Sequence, residues 1–433
     1  LSINIAVLKF RFSADMLQDP ILVGLENDHH FLACVLRAAE GDGELEVTSA
    51  KATPCCAAGD NYMSSMTRVR VSGHNRAGRS FERSVLMKRQ PANVIRRQAF
   101  RCDPAFRNET HSYETIVPIM SEFAGWAMPF PDCHHASSQL IVLQDLQPLG
   151  FKMADRKKGL DMEHSELAMK ALARFHGTSL AMKHVDRVKF EGIRSLTTEL
   201  AFAPDSEPVF GASVENALRM ALTALEDESS AGESWSTSWE LGEALHNLRT
   251  LKGSVFRRLQ ALTRPSEPLS VLCHGDLWLN NMLFRYNGDA VEEVKFVDLQ
   301  VMRYSSLATD LLYFLSTSVE PSVLRFHQED LVSIYHEALV ETVSKLAPDA
   351  PKITIEQIND QIEELALFGL LMGFLLLPAI TVEGSAIAAS LENIQEDSDV
   401  TSKLEQHDEH FLTDRYQERV RGLVLHFVNM GYI

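Results

Sequence analysis

Hydrophobic and polar positions follow two rhythms along this chain. Before residue 90 the pattern is mostly of period two: Leu45 and Val47, then Thr67, Val69 and Val71, then Ser80 to Lys88 closing on Val85-Leu86-Met87-Lys88, which predicts strands joined by hairpins. A broken apolar stripe through Met16, Leu17, Ile21, Leu22, Leu25, Phe31, Leu32, Val35 and Leu36 predicts a helix over 15–40, ended by Gly41-Asp42-Gly43. Pro104 to Met120 reads as a helix, and Leu140-Ile141-Val142-Leu143 as a buried strand. Longer helical patterns dominate afterwards: Glu163 to Lys183, a stretch of about two dozen residues ending at Leu262 before Pro265 and Pro268, then Val323 to Ala347, Ile355 onward and Leu412 to Val428. Residues 226–238, acidic and Ser-rich, read as an exposed loop, and the acidic run from Glu392 to Glu409 as a solvated stretch. The expected fold is α+β, with no internal repeat.

Between residues 271 and 310 the polar groups stop being filler. Val271-Leu272-Cys273 predicts a buried strand, left by a turn at His274-Gly275-Asp276, and Met282-Leu283-Phe284 resumes a strand after Asn280-Asn281. A hairpin turn at Asn287-Gly288-Asp289 returns the chain through Val294, Phe296 and Val297 to a second acid, Asp298. Two carboxylates and an amide therefore converge at one end of a hairpin. Phosphoryl transfer needs such a set: a carboxylate to orient and deprotonate an attacking hydroxyl, and an amide oxygen plus a second carboxylate to hold Mg²⁺ against nucleotide phosphates. On this reading Asp276 is the base, Asn281 a metal ligand and Asp298 the main metal ligand. The bland alternative is a strand pair ending in solvated polar turns.

These residues carry a resemblance. His274-Gly275-Asp276-Leu277-Trp278-Leu279-Asn280-Asn281-Met282-Leu283-Phe284, Val297-Asp298-Leu299-Gln300 and Ala308-Thr309-Asp310-Leu311-Leu312-Tyr313-Phe314-Leu315 resemble the ecdysteroid-kinase-like (CHK-kinase-like) family, within the choline kinase and aminoglycoside phosphotransferase group; arthropod members are also labelled juvenile-hormone-inducible. Leu299 departs from the usual aromatic after the metal-binding acid. The resemblance spans roughly residues 40 to 420. It implies a bilobal protein-kinase-like fold, with a small β-rich N-terminal nucleotide-binding lobe over 1–144 (1–40 an extension) and a large, mostly helical catalytic and acceptor-binding lobe over 145–433.

The same resemblance gives meaning to weaker signals upstream. The turn Gly59-Asp60-Asn61-Tyr62-Met63-Ser64-Ser65-Met66 takes the place of the family's phosphate-covering loop, with Gly59, Asn61, Ser64 and Ser65 as nucleotide contacts; an ordinary hairpin is the alternative. Lys88, at a strand end, becomes the candidate for the α and β phosphates, held by Glu109 from a helix resembling the family's Glu-x-x-x-Tyr segment (Glu109, Tyr113). Glu114 competes for that role, about 140° round the helix. Gln144-Asp145-Leu146 is the expected hinge, the backbone of Gln144 and Leu146 binding adenine. Asp310, and Arg303 with it, are expected to brace the catalytic loop. His176, on an apolar helix face, reads as a core histidine rather than a catalytic one, and Trp278 as either a core anchor or a lining of the acceptor side.

Composition narrows the classes further. With 433 residues and 45% hydrophobic content the chain can bury a sizeable core. A net charge of -18 disfavours nucleic acid and anionic membrane partners. The cysteines at 34, 55, 56, 102, 133 and 273 show no metal-like spacing, and read as reduced and intracellular, with a cytoplasmic location. His29-His30 and His134-His135 read as solvated loops, so no metal beyond Mg²⁺ is implied. LSINIAVLKF lacks the flanks of a signal peptide and suits an edge strand or a fragmentary start. The uncharged run Leu365 to Val382 is long enough to raise a membrane span, and Gly369-x-x-x-Gly373 fits helix dimers, but Pro378 and the bracketing Glu363, Glu364 and Glu383 favour a buried helix.

The expected activity is transfer of the γ-phosphoryl group of ATP, with Mg²⁺, to a hydroxyl of a small lipophilic alcohol such as an ecdysteroid. No Gly-x-x-x-x-Gly-Lys-[Ser/Thr] or full Gly-x-Gly-x-x-Gly supports a P-loop or Rossmann reading. A protein kinase fits poorly, because only 11 residues separate Asp298 from Asp310 and no Ala-Pro-Glu follows. A non-catalytic nucleotide or steroid binder is the other rival.

Overall fold

A five-stranded sheet, its strands in chain order lying 1-2-3-5-4 across it, builds the N-terminal lobe. The computed structural model describes residues 24–55, 64–91, 97, 101–226, 239–381 and 412–433. The strands are β1 (Glu46–Pro54), β2 (Ser65–His74), β3 (Ser80–Arg89), β4 (Cys133–Ala136) and β5 (Leu140–Gln144). The period-two pattern sets which face is inside: Val69, Val71, Val85 and Met87 are buried, and they close a small core with Leu32, Val35 and Leu36 of α1 (His29–Glu40). Asp28 caps α1 by accepting from the N–H groups of His30 and Phe31, which fixes where this helix begins. Residues 15–23 of the expected helix lie outside the described residues, as do LSINIAVLKF and the segments 227–238 and 382–411.

Behind the sheet runs α2 (Cys102–His111), continued through a π turn (Ser112–Ile116) into α3 (Val117–Ala124). Such a turn inside a helix re-aims the residues around it, and here it begins three residues after Glu109. His134 and His135 correct the loop expectation: they sit half-buried in β4, which pairs with β5, and burial lowers both imidazole pKa values.

The C-terminal lobe is mostly helical. Its first helices are α4 (Met162–Val185), α5 (Arg187–Arg194) and α6 (Glu207–Glu226), of which the last two had no expectation from the sequence. The helix expected to end at Leu262 is two helices, α7 (Trp239–Thr250) and α8 (Val255–Leu262). Gly253, with φ of 76°, lies at the break. Then come α9 (Leu307–Thr317), α10 (Pro321–Leu346), α11 (Ile355–Glu364), α12 (Ala366–Thr381) and α13 (Asp414–Asn429).

Two small sheets carry the polar turns of the central stretch. β7 (Ser270–Cys273) pairs with β10 (Arg303–Ser306), and β8 (Met282–Asn287) lies between β6 (Phe151–Lys152) and β9 (Ala290–Phe296). The strand before Asp276 and the strand after it therefore belong to different sheets.

The uncharged run forms α12, whose residues are mostly buried. Its two glycines serve packing within the chain: a Cβ on Gly369 would stand 2.9 Å from Leu312 Cβ, and one on Gly373 would stand 2.4 Å from Leu423 Cδ2. The small-residue face is thus covered by α9 and α13. Among the described residues no single helix is long and apolar enough to cross a membrane; α11 and α12 pass together by length and composition, with a bend of 58° between them.

Candidate active site

Where β7 ends, the chain turns through Gly275, whose φ of 86° suits only glycine without strain. The turn is also crowded: a Cβ on Gly275 would stand 2.1 Å from Val301 O. Asp310, buried in the first turn of α9, accepts from the N–H groups of His274 at 2.6 Å and Gly275 at 2.9 Å. Burial alone would raise its pKa, but hydrogen bonding and charge from His176, aided by the Gly275 N–H, hold the carboxyl below its ordinary range. Arg303 closes the turn from the other side, donating Nη2 to Gly275 O at 2.5 Å. Both expected braces therefore hold the loop backbone. His176 is wholly buried between Tyr335 OH at 2.7 Å and Asp310 Oδ2 at 3.2 Å, a core position away from the reacting groups.

The side chain of Asp276 is gripped at both oxygens. Asn281 Nδ2 donates to Oδ2 at 2.8 Å and to the backbone carbonyl of the same residue, and Tyr313 OH donates to Oδ1 at 2.5 Å. Burial raises the Asp276 pKa, against the pull of the Tyr313 hydrogen bond. Tyr313 lies in the Asp310-Leu311-Leu312-Tyr313 run but has no expected role from sequence; its signal was its position, one turn beyond Asp310 on the same helix face.

At the end of β9, Asp298 takes a left-handed backbone with φ of 70°, uncommon for a residue other than glycine and tolerated best by Asp and Asn. Lys88 Nζ reaches Asp298 Oδ1 at 3.1 Å and Glu109 at 2.7 Å, with the Lys88 and Glu109 side chains almost fully buried. Burial works against the ammonium, yet the carboxylates of Asp298 and Glu109 outweigh it and raise the Lys88 pKa. The structure thus puts Glu109, not the exposed Glu114, on Lys88.

Asn281 and Asp298 offer an amide and a carboxylate oxygen, the donors suited to a hard divalent cation. The hydrogen bonds of the Asn281 side chain use its amide nitrogen, which leaves the amide oxygen for a metal. The Asp298 side chain is 31% exposed, so it is accessible to one. These residues fit Mg²⁺.

The remaining expected nucleotide residues cluster near Lys88 in part. Register pairs Met66 with Lys88 and Ser65 with Arg89, which sets Ser64 and Ser65 beside the lysine's end of β3; Gly59 and Asn61 lie outside the described residues. Gln144 ends β5, and its N–H donates to Asp132 O at 2.8 Å. Leu146 is buried, and its carbonyl accepts from Leu149 and Phe151. Between them Asp145 takes a two-pronged bond from Arg68 at 2.6 and 3.2 Å and another from Ser84 at 2.6 Å, tying the expected hinge to β2 and β3. Trp278 is half-buried against the main core and does not line the cavity beside Asp276.

That cavity, of about 210 Å³, opens on Asp276 and Gly275 and is walled chiefly by apolar side chains, among them Leu200, Phe202, Phe210, Val214 and Met372. No sequence motif marks this wall.

A β-rich lobe carrying a buried Lys–Glu pair, set against a helical lobe carrying Asp276, Asn281 and Asp298, defines a protein of the kinase-like class. A model of the ecdysteroid kinase-like family matches residues 58–347, and the chain belongs to that family. Distantly similar solved structures include a Plasmodium vivax ethanolamine kinase (11% identity, 86% of this chain and 84% of that one, TM-score 0.40). A spectinomycin phosphotransferase in complex with ADP and spectinomycin is also similar (11% identity, 93% and 98%, TM-score 0.43). A third is an amicoumacin kinase in complex with AMP-PNP and Ca²⁺ (11% identity, 85% and 88%, TM-score 0.37). No curated protein matches the sequence.

Proposed function

We propose that this protein transfers the γ-phosphoryl group of ATP to a hydroxyl of a small lipophilic alcohol, with ecdysteroids as the leading class. The observation that carries the reading is the opening of Asp276 into a cavity walled mainly by apolar side chains. An apolar wall favours an acceptor that gains by leaving water, and a carboxylate at its floor selects for a hydroxyl placed to donate to it. The 11 residues between Asp298 and Asp310 leave no long segment on which a peptide could lie.

In this reading the acceptor hydroxyl donates its hydrogen bond to Asp276, whose orientation is set by Tyr313 and Asn281. The hydroxyl oxygen forms a bond to the γ-phosphorus as the bond to the bridging β–γ oxygen breaks. Asp276 receives the hydroxyl proton and ADP leaves with the bridging oxygen. Lys88, steadied by Glu109, neutralises α- and β-phosphate charge. Asn281 and Asp298 would hold Mg²⁺, which when bound offsets charge on the phosphate oxygens. Ser64 and Ser65, with Gly59 and Asn61 expected in the same turn, would cover the phosphates, and the backbone of Gln144 and Leu146 would bind adenine.

The test is transfer from labelled ATP to a panel of steroids, choline, aminoglycosides and glycosides. Label on a steroid or another lipophilic alcohol supports the reading. Label confined to choline or an aminoglycoside would move the acceptor to a polar class.

A further inference from the structure

One short stretch, residues 198–206, walls the cavity beside Asp276, contributing Leu200, Ala201 and Phe202. Three side chains from elsewhere take hold of it. Asn108, buried on α2, accepts from the Thr198 N–H at 3.0 Å, while its Nδ2 donates to Gln300 O at 3.0 Å and Met302 O at 2.8 Å. Arg303, which grips Gly275, pairs with Glu199 at 3.2 Å. Arg101, at the start of α2, makes a two-pronged bond to Asp205 at 3.1 and 2.9 Å and also reaches the Ser206 hydroxyl.

Two of these three holds start from the helix that carries Glu109, and Asn108 is its immediate neighbour in sequence. The wall is therefore bonded directly to the element that positions Lys88. Arg101 lines the cavity as well, and it has a left-handed backbone, φ of 51° and ψ of 40°, a conformation that non-glycine residues keep where surrounding contacts over-determine it. Planar two-pronged pairing gives the Arg101–Asp205 contact a geometry that a point charge would not have.

We propose that residues 198–206 act as a strap coupling the acceptor cavity to the Lys88–Glu109 pair, with Arg101 and Asp205 as its clasp. This rests on the nucleotide and acceptor sites assigned under the proposed function. Arg101 is then a positioning residue: it acts on the acceptor wall and on α2 together. Because coupling between two sites is reciprocal, ordering Lys88 with a nucleotide must order the strap.

The experiment is amide hydrogen exchange on the full chain with and without MgADP, for the wild type, Arg101→Gln, Asp205→Asn and the double exchange Arg101→Asp/Asp205→Arg. Aspartate tolerates the left-handed backbone at 101, so the exchange keeps the local fold. In the wild type, MgADP is expected to slow exchange both in β3 and across 198–206, the latter by about fivefold or more. Each single variant should keep the protection of β3 and lose that of 198–206, and the double exchange should recover it. Undiminished strap protection in both single variants overturns the clasp, as does wild-type protection of β3 without any at 198–206. Protection of neither segment by MgADP overturns the nucleotide reading itself, and the coupling with it.

Discussion

Tyr313 donates its hydroxyl to Asp276 Oδ1 at 2.5 Å from the same helix whose Asp310 holds the N–H groups of His274 and Gly275. A single turn of α9 thus fixes both the backbone of the loop and the direction of its carboxylate. Replacing Asp276 by Asn should leave nucleotide affinity nearly intact and cut turnover by about 10² or more, the scale for losing a general base. Tyr313→Phe, which keeps the ring and removes the donor, should lower turnover by roughly tenfold with the same nucleotide affinity. Steady-state kinetics beside nucleotide calorimetry check both; full activity in Asp276→Asn removes that residue from the chemistry.

Asp298 should govern nucleotide binding rather than the chemical step. In Asp298→Ala, Mg²⁺-dependent nucleotide affinity should be lost, because no carboxylate remains to link metal and protein. The variant also frees Lys88 from one of its two carboxylates. Calorimetric titration with MgADP is the check, and an unchanged affinity would refute the role.

Gly275→Ala should be damaging out of proportion to one methyl group. The new Cβ would meet Val301 O at 2.1 Å and Val301 C at 2.9 Å in a backbone with φ of 86°, and both are backbone atoms that cannot swing aside. A loss of about 3 kcal/mol or more is expected, from strain and displacement of the loop. Urea unfolding midpoints measure it. Gly288, in the β8–β9 turn with nothing near its Cβ position, is the control with a positive φ but open space.

A pH effect is expected at the other end of the helical lobe. His426 is buried on α13 with Nε2 2.6 Å from Gln328 Oε1, and burial holds its pKa down at about 4. Between the ordinary imidazole value near 6.5 and about 4, the unfolded chain binds a proton that the folded chain does not, so stability falls as pH is lowered through that window. The loss should be on the order of 1–2 kcal/mol. Melting temperatures at pH 7.5 and 5 should converge in His426→Gln relative to the wild type; an equal drop in both proteins would assign the effect to other groups.

The parts of the site that were legible from sequence are those whose neighbours are close in the chain. His274 to Asn281 is one turn and Asp298 ends one hairpin, so spacing locates them, whereas Lys88, closing one alternating strand, gains its role only from the family resemblance. The resemblance to the Glu-x-x-x-Tyr segment favours Glu109 over Glu114, and the structure separates the two in space, where one faces Lys88 and the other solvent. Contacts across long separations left no such trace. Asn108 meets Gln300 and Met302, Arg101 meets Asp205, and β7 pairs with β10 rather than with β8. Each of those residues reads locally as an ordinary polar helix or loop position. The helix break at Gly253 escapes the pattern because the apolar rhythm runs on through it, and His134-His135 escapes it because a four-residue edge strand offers too few residues for its alternation to be seen.

The acceptor of the phosphoryl group decides the function. Wild-type protein and Asp276→Asn should be compared for transfer from labelled ATP to lipophilic alcohols, including an ecdysteroid, and to casein. The account predicts label on at least one lipophilic alcohol, none on casein, and loss of the alcohol product in Asp276→Asn. Strong casein labelling that Asp276→Asn abolishes, with no product across the alcohols, would contradict it.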